Sequence, residues 1–355
     1  MIKSYKTLQP LLYMLKPETA HNIAISALKY GLIPKQERVD SPILKQNIYG
    51  IDFDNPIGLA AGFDKNAVAI DSLLKQGFSF VEAGTVTPKP QSGNPKPRIF
   101  RLEEDEAIIN RLGFNNNGIE YFIKNFIRHD AELGIAGANI GKNKNTENAE
   151  EDYVLCLNSV YPYVDYITVN ISSPNTTGLR DLQEGKALLS LLSAISNARE
   201  ENIKTYKKRI PILLKIAPDI DDRQCEDIVE AVVTHRIDGI IIGNTTISRP
   251  QSLTSPYKQE KGGLSGKPLF SLSTEILSKI YKISRGKVPL IATGGISSAN
   301  DAYSKICSGA NLIQIYSALI YQGFGLVRTI NEELIQLIKN DGFSHISEAI
   351  GSKSL

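Results

Sequence analysis

Short apolar stretches alternate with longer amphipathic segments from Pro56 onward, and this alternation occurs eight times. Apolar runs of strand length separated by helical segments are typical of βα units, whose strands form a parallel sheet. The predicted strands are Ile57–Ala61, Phe78–Gly84, Ile135–Gly141, Tyr166–Ile171, Ile210–Ala217, Gly239–Asn244, Pro289–Thr293 and Leu312–Tyr316. Helices are expected between them, for example over Glu184–Lys204 and Asp222–Thr234. Eight units in about 300 residues have the size of a TIM (β/α)8 barrel. A doubly wound open sheet is the alternative, but no G-x-G-x-x-G motif follows the first strand.

Length and composition exclude several classes of protein. At 355 residues, the chain has room for two average domains or for one large α/β barrel with an appendage. A net charge of +2, without a basic run that is interleaved with aromatic residues, argues against a nucleic-acid-binding protein. The three cysteines stand far apart and the four histidines are scattered, so we expect no metal site. No run of about 18 apolar residues is present to span a membrane.

A basic segment precedes the predicted barrel. Residues 1–38 have a charge balance of +4, so the remainder of the chain has −2. Leu8–Leu15 predicts a short apolar helix with Pro10 in its first turn, and Pro17 begins a second helix that Gly31 ends. The second helix places four apolar residues on one face: Ala20, Ile23, Ala24 and Ala27.

We therefore predict two parts, a helical segment over residues 1–45 and a barrel domain over residues 46–355. Two roles are open for the helical segment. It packs on the barrel as a structural cover, or it lies on an anionic membrane surface, where each nearby Lys or Arg contributes about 1 kcal/mol.

Polar residues follow the predicted strands at the ends that a barrel places on one face. The stretch after the fourth strand is the most distinctive, because Asn170 ends the strand and a tightly turning polar loop follows over Ser172–Gly178. Lys65 follows the first strand, and Lys215 lies inside the fifth, pointing the opposite way from its neighbours. A lysine in the mouth of a barrel is costly unless an anion meets it. We expect a binding site on this face.

The last two units have the features of a phosphate-binding site. Gly294 and Gly295 allow a close backbone approach after the seventh strand, and the following helix is expected to offer free N–H groups. Tyr316 and Ser317, after the eighth strand, are placed to complete this site.

Two long connections interrupt the regular alternation. One lies between the second strand and a helix predicted over Gly118–Arg128, and it includes Pro95–Arg101 and Asn110–Asn117. The other, Ser248–Lys267, is rich in Ser, Pro, Lys and Gly and is predicted to act as a mobile lid.

Together these segments closely resemble the quinone-dependent, class 2 dihydroorotate dehydrogenases. The matching motifs cover nearly the whole chain: Lys16–His21, Gly58–Lys65, Glu82–Pro88, Lys96–Arg101, Ile109–Asn116, Asn139–Lys142, Asn170–Asn175, Gly263–Gly266 and Gln314–Ser317. The resemblance implies a TIM barrel that holds FMN, oxidises dihydroorotate to orotate in pyrimidine biosynthesis, and passes the electrons to a membrane quinone. It also implies a monomer that binds peripherally to a membrane, on the cytoplasmic face of the inner membrane in a bacterium.

The resemblance also implies roles for individual residues. Ser173 matches the base that takes the proton from C5 of dihydroorotate, and a serine needs a closed loop and a proton path to do so. The residues that match substrate contacts are Lys65, Asn110, Arg111, Leu112, Gly113, Phe114, Asn170, Asn175, Asn244 and Thr245. Carboxamides pair with a ring imide, and a lysine pairs with a carboxylate.

The FMN contacts are implied in the same way. Lys215 matches the lysine beside the flavin pyrimidine ring, where its positive charge stabilises the reduced flavin anion. The other matching positions are Ala61, Gly62, Phe63, Asp64, Lys65, Thr85, Asn139, Asn170, Gly243, Gly266, Gly295, Tyr316 and Ser317. His21 and Arg101 resemble family residues near the quinone tunnel.

One position departs from the family, and two rival interpretations exist. Gly243 stands where the family usually has a hydroxyl residue, so a side-chain contact to FMN is lost there. A soluble class 1 enzyme is the nearer rival, but it typically has cysteine at the position of Ser173 and lacks the N-terminal helices. A non-catalytic barrel that binds a phosphorylated ligand accounts for Gly294 and Gly295 but not for Lys65, Ser173 and Lys215 on one face.

Overall fold

Two helices begin the chain in the computed structural model, which describes residues 2–354 and the side chains from Tyr5 onward. They are α1 (Ile2–Tyr13) and α2 (Pro17–Lys29). The prediction that Pro10 lies in the first turn is wrong, because α1 begins at Ile2 and Pro10 is inside it. Contacts with the rest of the protein outweigh the lost helical hydrogen bond: the Tyr5 hydroxyl, for example, donates to the carbonyl of Ile320 at 2.7 Å.

The predicted ends of the second helix are confirmed. Pro17 is its first residue, where a missing N–H costs nothing. Gly31 has φ +66° and follows the C-cap residue. Its N–H donates to Leu28 O, and the next N–H donates to Ala27 O, which satisfies the last helical carbonyls.

Eight parallel strands form the closed barrel that the sequence predicts. In chain order they are β3 (Ile57–Leu59), β4 (Phe80–Val86), β7 (Ile135–Ile140), β8 (Tyr166–Asn170), β9 (Ile212–Ile216), β10 (Gly239–Ile242), β12 (Leu290–Thr293) and β13 (Leu312–Ile315). Each strand pairs with the next, and β13 closes on β3. The second strand lies two residues later than predicted, with an irregular register between Gly84 and Val86. The TIM barrel and the N-terminal helical extension are thus confirmed.

Helices follow the strands and cover the barrel. They are α3 (Ile70–Leu74), α4 (Ile119–Phe126), α5 (Ala149–Val160), α6 (Gly185–Tyr206), α7 (Asp222–Thr234), α8 (Phe270–Ser284), α9 (Ala299–Cys307), α10 (Ser317–Gln322), α11 (Gly325–Asn340) and α12 (Ile346–Ala349). The predicted bounds of α7 are confirmed, because Asp221 and Gln224 form a reciprocal capping box at its start.

The amino-terminal end of the barrel is closed by a small hairpin, β1 (Gln46–Ile48) and β2 (Ile51–Phe53). Its Ile48 and Phe53 pack on the first residues of several barrel strands, including Phe80 and Tyr166. Because this end is filled with apolar side chains, the carboxyl ends of the strands are left as the open face.

A second sheet stands beside that open face and was not anticipated. The strands β5 (Ile99–Leu102), β6 (Ala107–Asn110) and β11 (Gly263–Gly266) pair antiparallel in the order β5-β6-β11. It joins the two long connections predicted above, so the last part of Ser248–Lys267 is a strand. The lid function of the rest of that segment stays a prediction.

This sheet fastens the N-terminal helices to the barrel. Arg98 makes a two-pronged ion pair with Glu18 in the first turn of α2, at 2.7 and 3.2 Å. Arg101 donates to three carbonyls at the end of α1, those of Leu12, Tyr13 and Leu15. No helix of the described chain is both long and apolar enough to cross a bilayer.

Candidate active site

A cavity of ≈610 Å³ opens at the carboxyl ends of the barrel strands and continues to the N-terminal helices. Most of the residues predicted from the sequence line it: His21, Ala61, Gly62, Phe63, Lys65, Thr85, Arg101, Asn110, Leu112, Gly113, Phe114, Asn170, Ser173, Asn175, Lys215, Asn244, Thr245, Gly266, Gly295, Tyr316 and Ser317. Residues from seven of the eight barrel units, all but that of β7, therefore meet residues of the second sheet and the N-terminal segment around one space.

Four predicted residues lie outside this lining. Asp64 is buried and accepts the N–H groups of Asn66, Val68 and Ala69, so it shapes the loop after β3. Asn139 lies below the cavity, where it binds Thr85.

The other two are Arg111 and Gly243. Arg111 pairs with Glu260 at 2.7 Å and stacks over Phe100. Gly243 has φ +102°, and a Cβ atom there would lie 2.7 Å from the carbonyl of Thr293. The backbone itself therefore disfavours the side chain that the family usually carries at this position.

The loop after β8 is held by a network of polar side chains. Asn170 Oδ1 accepts from the N–H of Ser172 at 3.1 Å and from its hydroxyl at 2.7 Å. Asn244 Nδ2 donates to the same hydroxyl at 2.8 Å. The Ser173 hydroxyl is buried and accepts from the Asn175 N–H at 3.3 Å. The side chain of Asn175 reaches across to the carbonyl of Asn110 at 3.1 Å. Ser173 is thus fixed at the cavity wall.

An arginine clamp behind this loop was missed by the sequence analysis. Arg180 donates to the carbonyl of Ser172 at 3.0 Å and to that of Thr245 at 2.8 Å. Its third partner is the Asp219 carboxylate at 2.8 Å. The clamp joins the loops after β8, β9 and β10, and only a folded barrel brings these loops together.

Two lysines carry the positive charge of the site, and of these Lys65 is partly buried and Lys215 fully buried. The Lys65 ammonium donates to the carbonyl of Gly62 at 2.5 Å, and burial lowers its pKa to about 8, while neighbouring Asp64 opposes the shift. Burial also lowers the pKa of Lys215, against the opposing effect of Glu82, which lies 3.7 Å away. The predicted inward direction of Lys215 is confirmed, because it reaches the side chain of Gln314 at 3.3 Å.

Glu82, the first residue of the motif Glu82–Pro88, lies in the barrel interior. Its carboxylate is fully buried in the barrel interior. The groups that donate to it come from β7, β8 and β13: Asn139 at 2.7 Å, Gln314 at 2.7 Å, Thr168 at 3.1 Å and Tyr166 at 3.3 Å. The alternation of inward side chains along β4 marks Glu82 as an interior residue, but it does not reveal these partners.

The predicted phosphate site is a close-packed backbone loop. Gly294 and Gly295 have φ +101° and +77°, and a Cβ on Gly295 would lie 2.5 Å from the backbone of Phe270. Ser317 donates to Ser265 at 2.8 Å. The prediction that the next helix offers free N–H groups is only partly correct. At the start of α9, the Ser298 hydroxyl already accepts the N–H of Asp301.

The other end of the cavity is apolar. Side chains of α1 and α2 line it, namely Leu8, Leu12, Ala20, Ile23, Ala24 and Ala27. The predicted shared face of α2 is therefore confirmed. His21 contacts Phe63 edge to face at 5.2 Å, and burial, together with the charge of Lys65, lowers its pKa to about 3. His21 is therefore neutral at physiological pH.

The residues present fit a phosphorylated cofactor with a polar ring system. Position 295 has no room for a side chain, so a ligand at this loop would contact backbone atoms. The buried hydroxyl of Thr245 has no hydrogen-bond partner in the described chain, although it lines the cavity. Lys65 has no carboxylate within ion-pair distance among the described residues, so an anionic group is needed near it.

Comparisons with known proteins agree with this geometry. The sequence model of a family described as dihydroorotate dehydrogenase matches residues 43–338. The chain is 50% identical over 350 residues to the dihydroorotate dehydrogenase (quinone) of Azorhizobium caulinodans, with 98% of each protein covered. It is 46% identical to the mitochondrial dihydroorotate dehydrogenase (quinone) of Oryza sativa subsp. japonica, covering 99% of this chain and 80% of that relative. The structure of DHODH from Eimeria tenella in complex with ferulenol matches with a TM-score of 0.91 and 41% identity, covering 97% and 98% of the two chains.

Alanine at position 295 tests the packing of the glycine loop, with Gly342 as the control. Both glycines have positive φ, +77° and +83°, but a Cβ at 342 meets nothing within 4 Å. Both variants therefore carry backbone strain, and only Gly295→Ala adds a clash with Phe270. We expect Gly295→Ala to lower the free energy of unfolding by about 1–3 kcal/mol more than Gly342→Ala, measured by urea denaturation. Equal losses would contradict the close packing of this loop.

Proposed function

The chain belongs to the dihydroorotate dehydrogenase family, in its quinone-dependent class, and from this premise we propose how its residues perform the reaction. The protein oxidises dihydroorotate to orotate in pyrimidine biosynthesis, with a quinone as electron acceptor. The observation that supports the mechanism is a single cavity that joins the polar site around Lys65 and Ser173 to an apolar mouth between α1 and α2. The class 1 rival has no use for such a mouth.

We propose FMN as the cofactor. When bound, FMN accepts the hydride from C6 of dihydroorotate and later gives the electrons to the quinone. Its phosphate would be held by the backbone at Gly294, Gly295 and Ser317, and the ring system would lie beside Lys215 and Thr85. The Lys215 ammonium supplies positive charge where the reduced ring becomes anionic.

The substrate lies between the lysine and the serine in this proposal. Lys65 pairs with the carboxylate of dihydroorotate, and a set of amides and one hydroxyl bind its ring: Asn110, Asn170, Asn175, Asn244 and Thr245. The segment Leu112–Phe114 contributes backbone groups. The Ser173 oxygen takes the proton from C5 as the hydroxyl gives up its own proton along a path to solvent. Arg180 keeps this loop in place through the carbonyl of Ser172.

The N-terminal segment admits the quinone in this proposal. The apolar faces of α1 and α2 line the mouth of the cavity, and the same segment exposes Leu8, Leu11 and Met14 to solvent. With the charge balance of +4 over residues 1–38, this surface suits peripheral binding to an anionic membrane. A monomer suffices, because one chain supplies every residue named above.

Replacing Ser173 tests the proposed base. Ser173→Ala should retain dihydroorotate and FMN binding but slow flavin reduction by about 10²-fold or more, because no other residue of the loop is placed to take the proton. Ser173→Cys should retain part of the activity with a shifted pH profile, since a thiol ionises at lower pH than a hydroxyl. The measurement is single-turnover flavin reduction by stopped-flow absorbance. Ser172→Ala is the control and should lose at most about tenfold, and near-normal reduction in Ser173→Ala would exclude Ser173 as the base.

The two lysines should differ in what they bind. Burial lowers the pKa of Lys65 to about 8 in the free site, and an anionic ligand favours its ammonium form. Orotate affinity should therefore be full below pH 8 and fall as the pH rises through 8, and Lys65→Met should be weak and pH-independent. Lys215→Met should instead change the FMN reduction potential or FMN retention. Orotate affinity is measured by calorimetric titration from pH 6.5 to 9.5, and the FMN reduction potential by potentiometric titration. If both variants lose only orotate affinity, the proposed difference between Lys65 and Lys215 is refuted.

The exposed leucines of α1 test the membrane surface. Leu8 and Leu11 are 55% and 63% exposed, whereas Leu155 and Leu189, on outer helices, are 46% and 47% exposed. The double variant Leu8→Gln/Leu11→Gln should bind anionic phospholipid vesicles about tenfold more weakly, and added salt should weaken the wild type. Its reduction by dihydroorotate should stay normal, while turnover with a long-tailed quinone falls. Leu155→Gln/Leu189→Gln should behave as wild type, and equal effects of the two double variants would exclude this surface.

A further inference from the structure

A buried lysine lies behind the phosphate loop, outside the site described above. Lys305, on α9, is fully buried. Its ammonium donates to the Ser273 hydroxyl at 2.6 Å and to the Phe270 carbonyl at 3.3 Å, and it lies 4.8 Å from the centre of the Phe270 ring. In the part of the chain that the structure describes, no carboxylate lies within ion-pair distance of it. Burial lowers its pKa to about 7.

The two partners of Lys305 are the residues that pack against the glycine loop. The Ser273 hydroxyl lies 3.0 Å from the carbonyl of Gly294. The backbone of Phe270 lies against Gly295, at the position that a Cβ would occupy. The ammonium is therefore connected to both glycines through one intervening residue each, although it does not line the cavity.

A buried cation without a counter-ion is unfavourable, and protein charges interact strongly over short distances in a low-dielectric interior. Asp301, one turn earlier on α9, raises the pKa of Lys305, but its carboxylate is bound to the N–H and hydroxyl of Ser297. A dianionic phosphate at the glycine loop would supply the missing negative charge.

Several charged groups on neighbouring elements are paired with other residues. On α8, Lys279 pairs with Asp222 and Glu275, and on α11, Arg328 pairs with Glu37 and Glu332. Lys267, just before α8, pairs with Glu106 at 2.9 Å and is more than half exposed. Burial raises the pKa of Tyr316 well above its usual value, so this residue stays neutral near pH 8.

We propose that Lys305 is a positioning residue of the phosphate site, which holds Ser273 and Phe270 against Gly294 and Gly295 and whose charge is paired by the phosphate of the bound cofactor. This inference rests on the proposed FMN site. Its consequence is a proton linkage: above pH 7, a phosphorylated flavin binds with uptake of a proton by Lys305, whereas a flavin without phosphate does not.

The experiment compares FMN with riboflavin, which has the same ring system and no phosphate. The full chain is stripped of flavin, and both dissociation constants are measured by flavin fluorescence from pH 7 to 9. The phosphate is fully dianionic over most of this range, since its second pKa is about 6. In the wild type, the preference for FMN over riboflavin should fall by about tenfold as the pH rises, because the ammonium form is lost.

The variant Lys305→Met should have a preference for FMN that is reduced about tenfold and does not vary between pH 7 and 9. Lys267→Met removes an exposed charge near the same loop and should keep the wild-type pH dependence. Riboflavin affinity reports whether the fold of each variant is intact. If Lys305→Met does not fold, the wild type alone tests the linkage. Calorimetry in two buffers of different ionisation enthalpy gives the number of protons taken up on binding, and this number should be larger for FMN than for riboflavin.

Two outcomes overturn the proposal, and they are distinguishable from each other. If both flavins bind but the wild-type preference is independent of pH, or proton uptake is equal for the two, then Lys305 has no linkage to the phosphate. If neither flavin binds the stripped chain, the proposed cofactor itself is wrong and this inference fails with it.

Discussion

A buried carboxylate in the barrel interior determines the layout of the whole site. Glu82 accepts hydrogen bonds from side chains of three other barrel strands and faces Lys215 on a fourth. An unpaired charge at this depth would cost several kcal/mol, so each donor is held in one position. Asn139 binds both Glu82 and Thr85, and Thr85 accepts a hydrogen bond from Asn170. This chain of hydrogen bonds links the buried carboxylate to the cavity wall. The Ser173 loop begins directly after Asn170, and its geometry depends on the network below it.

The cavity has two chemically different ends because two additions to the barrel meet at its mouth. A plain barrel would leave the polar site open to water. Here Arg98, just before β5, binds the start of α2, and Arg101, within β5, binds the end of α1. The two arginines thus bind polar groups of the N-terminal segment, namely the Glu18 carboxylate and backbone carbonyls. The apolar faces of α1 and α2 line the mouth of the cavity. Arg101, which resembles a residue near the quinone tunnel, lines the cavity and also fixes the end of α1.

The sequence predicts those parts of the fold that depend on local patterns. The eight strands follow from apolar periodicity, and the inward direction of Lys215 follows from strand alternation. Partners distant in the chain could not be inferred: Arg180 and Asp219 are brought together only by barrel closure, and so are Glu82 and Gln314. Strand β11 was missed because two of its four residues are glycines, which disfavour strands until a neighbouring edge pairs with them. The position of Pro10 inside α1 was mispredicted for a related reason, since contacts outside the helix outweigh the local preference.

Three lysines in and behind the site differ in whether a carboxylate of the protein neutralises their charge. Lys215 has an internal counter-charge in Glu82, which opposes the lowering of its pKa by burial. Lys65 and Lys305 have no carboxylate within ion-pair distance among the described residues, and burial lowers the pKa of both, to about 8 and about 7. The ammonium groups of these two lysines destabilise the folded protein when no ligand is bound. An anion that binds close to them removes this destabilisation. A ligand that binds only the folded chain stabilises it by mass action, and it does so most where it also neutralises a buried charge. Under the proposed function, the anionic cofactor and substrate would therefore stabilise the folded chain when they bind.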